Sequence, residues 1–189
     1  MAMNDADKKL LLRLARDSIK TYFKGKKPDM KDVQHLSEKR GIFVTLHDKK
    51  GDLRGCIGFP MPAYALNTAI VEAARSAAFH DPRFPPVDEE EFQNIVIEIS
   101  VLTVPQQIKI SHPREYPEKI KIGEDGLIVE GAFGSGLLLP QVATENNFNA
   151  QTFLNCLCQK AGMGFNCWKD LNNKISKFQA EVFNESGER

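Results

Sequence analysis

Gly41 to Gly58 reads G-I-F-V-T-L-H-D-K-K-G-D-L-R-G-C-I-G. Two alternating runs flank D-K-K-G, the pattern of a β-hairpin. A four-residue loop, Asp48 to Gly51, built on a type I turn needs a left-handed last residue, which suits Gly51. That loop sets Leu46 opposite Leu53, Thr45 opposite Arg54 and Phe43 opposite Cys56. Val44, Leu46, Leu53 and Ile57 then form one apolar face, while Thr45, His47, Asp52, Arg54 and Cys56 form the other. A three-residue loop, Lys49 to Gly51, mixes polar and apolar residues on both faces, so the pattern favours the longer one. In either register Arg54 and Cys56 point the same way, with Cα atoms about 6–7 Å apart. A guanidinium at that range favours a thiolate. Gly51, Gly55 and Gly58 are poor strand residues. They leave two readings: a backbone that must approach a ligand closely, or tight packing inside a sheet.

Lys8 to Lys24 has Leu11, Leu14, Ala15, Ile19 and Tyr22 at helical spacing and ends at Gly25 and Pro28. Ala63 to Phe79 is a second helix, with Pro62 near its first turn and an alanine-rich stripe that predicts close packing. Pro82, Pro85 and Pro86 interrupt regular structure after it. Ile95 to Leu102 alternates strictly and predicts a central strand, with Glu98 on the less apolar face. Leu127–Glu130 and Gly136–Leu139 predict two strands around G-A-F-G-S-G, which lacks the Lys-Ser/Thr ending of a phosphate loop. Pro140 opens a short helix through Glu145, and Asn149 caps another that runs from Ala150 to Ala161 and ends at Gly162. Lys174 to Glu185 closes the chain as one alternating strand. Helices and hairpins are mixed without steady βαβ alternation, so the fold class is α+β: an antiparallel sheet flanked by helices.

The chain has 189 residues, room for one domain or two small lobes. Lys plus Arg equals Asp plus Glu at 25 each. A chain with zero formal charge lacks the global field that draws nucleic acid or an anionic membrane, and no nucleic-acid motif accompanies it. The local run Lys24, Lys26 and Lys27 reads as a solvated helix end. The N-terminal stretch carries no apolar signal core, and no apolar run approaches the length of a membrane span. Four cysteines without a signal point to free thiols in a reducing cytoplasm.

Cys56 is the candidate thiolate or nucleophile; its structural alternative is a small packing residue. A nucleophile also needs a base. His47 shares its predicted face several positions away, and His80 lies at a helix end where it would interact with the helix dipole. Arg54 and Arg83, with the amides of Gly55 and Gly58, form a candidate anion-binding set. Glu98 is the carboxylate that would orient either arginine or pair with it structurally, and Asp81 could do the same or end its helix. Cys156 and Cys158 stand two apart on a helix, about 200° from each other, and no metal-ligand spacing accompanies them or Cys167. No metal or cofactor is implied.

G-I-F-V-T-L (41–46), L-R-G-C-I-G (53–58), D-P-R-F-P-P (81–86), I-E-I-S-V-L (97–102) and L-P-Q-V-A (139–143) follow one another in this order. Together they resemble the AMMECR domain family over roughly Leu10 to Phe183, and the L-R-G-C-I-G block is its hallmark. The family includes the protein A component of AmmeMemoRadiSam systems. Its C-x3-C-x2-C partner motif, the mark of the radical SAM component, is absent from this sequence. The resemblance implies a single domain over 1–189 in two unequal lobes, the larger formed by both terminal segments, with a cleft near the hallmark hairpin. Two functions of different class follow. One is a cleft-bearing cytoplasmic enzyme or small anionic-ligand-binding protein using Arg54 and Cys56. The other is a non-catalytic interaction module, an accessory subunit of a partner enzyme. Neither reading names the substrate, the protein partner or the oligomeric state.

Overall fold

Asn4 opens the first helix by accepting the Asp7 N–H on its side chain at 2.8 Å, and the chain turns out at Gly25, φ +62°. The computed structural model describes residues 3–187. The first half runs α1 (Asp5–Phe23), β1 (Ile42–His47), β2 (Leu53–Phe59), α2 (Leu66–Phe79), α3 (Glu89–Phe92) and β3 (Val96–Leu102). It continues through β4 (Gln106–Gln107), α4 (Tyr116–Lys119), β5 (Gly126–Gly131) and β6 (Gly134–Leu138). The chain closes with α5 (Pro140–Glu145), α6 (Ala150–Lys160), β7 (Lys174–Phe178) and β8 (Ala180–Asn184). Two four-stranded sheets result, with strand orders β2-β1-β3-β8 and β4-β7-β5-β6. The paired strands of each hairpin run antiparallel, so the α+β expectation holds.

The chain divides into two units. The first takes the stretch through Leu102 together with the segment from Glu181 onward; the second is Thr103–Ala180. In the first, Ile42, Val44 and Leu46 of β1 and Ile97, Ile99 and Val101 of β3 are fully buried. They pack with Leu11, Ala15 and Ile19 of α1 and Ala73, Ala74 and Ala77 of α2. Each Val, Leu or Ile of this set contributes roughly 1.5–3 kcal/mol, and a one-residue slip of either strand would turn its apolar residues outward. The second helix begins at Leu66, not Ala63. Its first N–H groups are taken by earlier carbonyls, Leu66 by Glu38 O at 2.9 Å and Asn67 by Leu36 O at 3.0 Å, so no side-chain cap is needed.

The hairpin register differs from the expected one. Asp48 N–H reaches Asp52 O at 3.0 Å and Gly51 (φ +85°) reaches Asp48 O at 3.0 Å, closing the three-residue loop instead. Leu46 then pairs with Gly55 but His47 with Leu53, so Arg54 is an extra residue in a β-bulge. The bulge restores the alternation that the shorter loop alone would spoil. Thr45 stands opposite Cys56 and Phe43 opposite Gly58. Leu53, placed before the bulge, is 43% exposed and does not join the core.

The expected final strand is two strands in two sheets. It breaks at Gln179, whose N–H goes to Thr103 Oγ1 at 2.8 Å while its carbonyl takes the Thr103 N–H. Phe178 is buried in the second unit, where Phe153, Leu127, Val129 and Ile175 are fully enclosed. Trp168 joins that core, with its indole N–H donated to Asn155 Oδ1 at 2.7 Å. Not all the thiols are free: Cys158 and Cys167 form a disulfide, with Cα atoms 5.6 Å apart across a separation of 9 residues. The left-handed Gly162 turns the chain back so that the two meet. Closing so short a loop stabilises by roughly 2–3 kcal/mol. Reduction is therefore expected to lower the urea midpoint of the second unit, followed by Trp168 fluorescence; an unmoved midpoint would contradict it.

Candidate functional site

Gly55 explains the glycines of β2. A Cβ there would lie 2.2 Å from the carbonyl oxygen of Ala77, in the last turn of α2. At Gly58 a Cβ would lie 2.2 Å from Ile42 O and 2.5 Å from the Phe43 ring. Both glycines answer to packing inside the first unit.

β2 is an edge strand, so Cys56 presents a backbone N–H and C=O that β1 does not pair. The segment after α2 supplies both partners. Asp81 Oδ2 accepts the Cys56 N–H at 2.9 Å, and Arg83 Nη2 donates to Cys56 O at 3.2 Å. Asp81 in turn holds Arg83 through Nε at 2.9 Å, Nη2 at 2.7 Å and the backbone N–H at 3.1 Å. The Asp81 carboxylate is buried, with side-chain exposure of 2%, while Arg83 remains 53% exposed. The Arg83 hydrogen bonds hold the Asp81 carboxyl well below the usual carboxylate range; burial opposes this, and the Cys56 and Arg83 N–H groups reinforce it. Arg83 is raised above the ordinary arginine value, first by Asp81, with the Cys56 side chain adding to the effect against burial.

Arg54 has other partners. Its Nε donates to Glu91 Oε1, and its Nη2 donates to Glu91 Oε2 and to Pro85 O, both at 2.9 Å. Its Nη1 is buried with no hydrogen-bond partner among the described residues. The two guanidinium groups flank one ring: Arg54 Cζ lies 5.7 Å and Arg83 Cζ 5.4 Å from the Phe84 centroid. Glu91 is set by α3, whose cap Asp88 accepts the Glu91 N–H at 2.7 Å. Arg54 thus ties β2 to the D-P-R-F-P-P loop through Pro85 and to α3 through Glu91.

On the sheet face, Cys56, Thr45 and Glu98 occupy one row across β2, β1 and β3. Thr45 Oγ1 donates to Cys56 Sγ at 3.4 Å, and the thiol is half-buried. Glu98 Oε1 faces His47 Nε2 at 3.8 Å, and His47 Nδ1 lies 3.2 Å from Gly51 O. Glu98 therefore orients neither arginine; Asp81 and Glu91 do. His80 caps α2 and packs edge-on against Tyr22, centroids 6.3 Å apart, so it is no partner of the thiol. The face thus groups Cys56, a hydroxyl donor, an imidazole–carboxylate pair and a neighbouring half-exposed guanidinium. Such a set can hold an anion. Sequence reasoning missed Glu91; its signal was the acidic run Asp88–Glu91 beside a helix start. Among the described residues no group of His, Cys, Asp and Glu could hold a metal ion, and no helix is long and apolar enough to cross a membrane.

Fold and site define a two-sheet α+β protein whose edge strand carries a cysteine with its backbone N–H and C=O clamped by an Asp–Arg pair. The AMMECR1 family profile matches residues 12–183, and the chain belongs to that family. A protein of Methanothermobacter thermautotrophicus is 47% identical over 182 residues, covering 94% of this chain and 93% of its own length. One of Methanocaldococcus jannaschii is 50% identical over 178 residues, covering 92% and 88%. The crystal structure of an uncharacterised Pyrococcus horikoshii protein superposes with a TM-score of 0.85 at 49% identity, covering 94% of this chain and 91% of that one.

Proposed function

We propose that the face around Cys56 binds a small anionic ligand, with Cys56 as the contacting thiol and Arg83 as the counter-cation. The supporting observation is that Arg83 stays half-exposed although its guanidinium is anchored on buried Asp81 and on the Cys56 carbonyl. A cation held in place before the ligand arrives loses little freedom on binding. Arg54, Gly55 and Gly58 serve this site by fixing β2 and its loop. Thr45 steadies the sulfur, and the His47–Glu98 pair supplies a proton acceptor on the same face. Used as a nucleophile, Cys56 would make the chain an enzyme of small-molecule chemistry. The alternative function, an interaction module, draws on exposed apolar side chains of the second unit, Phe133 above all.

The test follows the thiol in a Cys156→Ser background, which removes the other free cysteine. Alkylation of Cys56 by iodoacetate, an anionic reagent, is expected to slow about three- to tenfold in Arg83→Gln, because the half-exposed cation that attracts the reagent is lost. Inorganic phosphate is expected to protect Cys56 in the parent and not in Arg83→Gln. Equal rates in the two proteins, with no protection in either, would overturn the proposal.

A further inference from the structure

The β5–β6 hairpin ends in a two-residue turn, Ala132–Phe133, and Phe133 is 92% exposed at its tip. Folding alone gives no reason to hold a phenylalanine there. Beside it opens a pocket of about 790 Å³, lined by Phe133, Met163, Phe165, two glycines and a polar floor from Asn166 to Asn173. Phe165 is 58% exposed, and Leu171, next to the lining residue Asp170, is 57% exposed.

The pocket walls are fixed. A Cβ on Gly134 would lie 2.3 Å from Ala161 O, and one on Gly131 would lie 2.1 Å from Asn173 Oδ1, so the hairpin is wedged against its surroundings. The opposite wall, Gly162 to Asn166, is closed by the Cys158–Cys167 disulfide. The polar floor is largely satisfied from within. Asn173 Nδ2 donates to Cys167 O at 2.7 Å, and Asp170 Oδ1 accepts from Asn172 N and Nδ2 at 2.9 Å. Asp170 is the one charged residue of the lining. What the pocket still offers is apolar and aromatic contact with no Lys or Arg among its lining residues, which suits neither a phosphate backbone nor an anionic metabolite.

We propose that the occupant is a second copy of this chain, with Phe133 of each copy inserted into the other's pocket. Knob and hole stand on one rim, so a two-fold axis brings both knobs to both holes at once and the contact closes on itself. One arrangement thereby accounts for the exposed ring and for the open pocket beside it. Zero formal net charge removes the long-range repulsion between copies. Covering Phe133, Phe165 and Leu171 in both copies hides on the order of 800 Å², short of the roughly 1,200 Å² of stable interfaces. The dimer is therefore weak, with dissociation in the range of tens to hundreds of micromolar.

Sedimentation velocity on the full chain, from about 5 to about 500 µM, reads the result directly. The weight-average mass is expected to rise from 21.2 kDa toward twice that value. In Phe133→Ser it should stay at the monomer mass, while Val104→Ser, an exposed apolar position outside the pocket, should behave as the parent. Phe133 contributes nothing to the core, so an unchanged circular dichroism melt separates lost association from lost folding. A parent that stays monomeric throughout, or a Phe133→Ser chain that dimerises equally, would overturn the proposal.

Discussion

Gly55→Ala is expected to destabilise the first unit by about 3 kcal/mol or more. The added Cβ would meet Ala77 O at 2.2 Å and Ala77 C at 3.2 Å. Both are backbone atoms in the last turn of α2, and Ala77 is 1% exposed. No rotamer change relieves such a contact; α2 must move off β2. The helix lies that close because its buried face is Ala69, Ala73, Ala74, Ala77 and Ala78. Gly51→Ala is the comparison. Its Cβ meets nothing within 4 Å, but φ +85° penalises any side chain by about 1–2 kcal/mol. Trp168 sits in the second unit, so the first is followed by amide hydrogen exchange in β1, β2 and β3. Protection should fall much further for Gly55→Ala than for Gly51→Ala. A Gly55→Ala protein as protected as its parent would show that the helix does not approach as closely as described.

That contact shows what the sequence could and could not reveal. Strict alternation from Ile95 to Leu102 and the stripe of Leu11, Ala15 and Ile19 name their elements because a period of 2 or 3.6 is written into neighbouring residues. The hairpin is legible for the same reason. Its register is not, because the bulge at Arg54 leaves no compositional mark and inverts any count made from the turn. The break at Gln179 hides likewise: Phe178, Ala180 and Val182 alternate straight across it, but the ladder partners that place the two halves in different sheets are distant in sequence. At the site, Arg54, Cys56 and Arg83 announce themselves by residue type. Their partners were less visible. Three adjacent glutamates, Glu89 to Glu91, compete for Arg54, and only the phase of a four-residue helix selects Glu91. The link between Cys158 and Cys167 depends on a reversal at Gly162 that spacing alone does not fix.

Asp81→Asn is expected to cost the first unit about 2–3 kcal/mol at neutral pH and to abolish an acid-sensitive part of its stability. The carboxylate accepts four hydrogen bonds, from the Cys56 and Arg83 N–H groups and from two nitrogens of the Arg83 side chain. An amide keeps one acceptor oxygen but turns an NH2 toward donors, leaving buried N–H groups unmatched. Arg83 is half-exposed and can turn to water, which keeps the loss below that of a fully buried ion pair. The pH dependence has a definite sign. The Arg83 hydrogen bonds set the folded Asp81 pKa below its unfolded value of 3.8, so the group's contribution is complete above about pH 5. As pH falls below that value the unfolded chain takes up the proton first, and stability declines by up to about 1.4 kcal/mol per pH unit until the folded carboxyl also titrates. Hydrogen exchange, or urea titration read from far-ultraviolet dichroism, should therefore show the parent losing stability from pH 5 to pH 2 more steeply than Asp81→Asn. The two curves should draw together toward the acid end, since a protonated Asp81 and an asparagine would leave the clamp equally uncharged. Parallel curves with a constant offset would mean that Asp81 acts by shape alone, and that the charge holding Arg83 beside Cys56 is not what fixes this edge of the sheet.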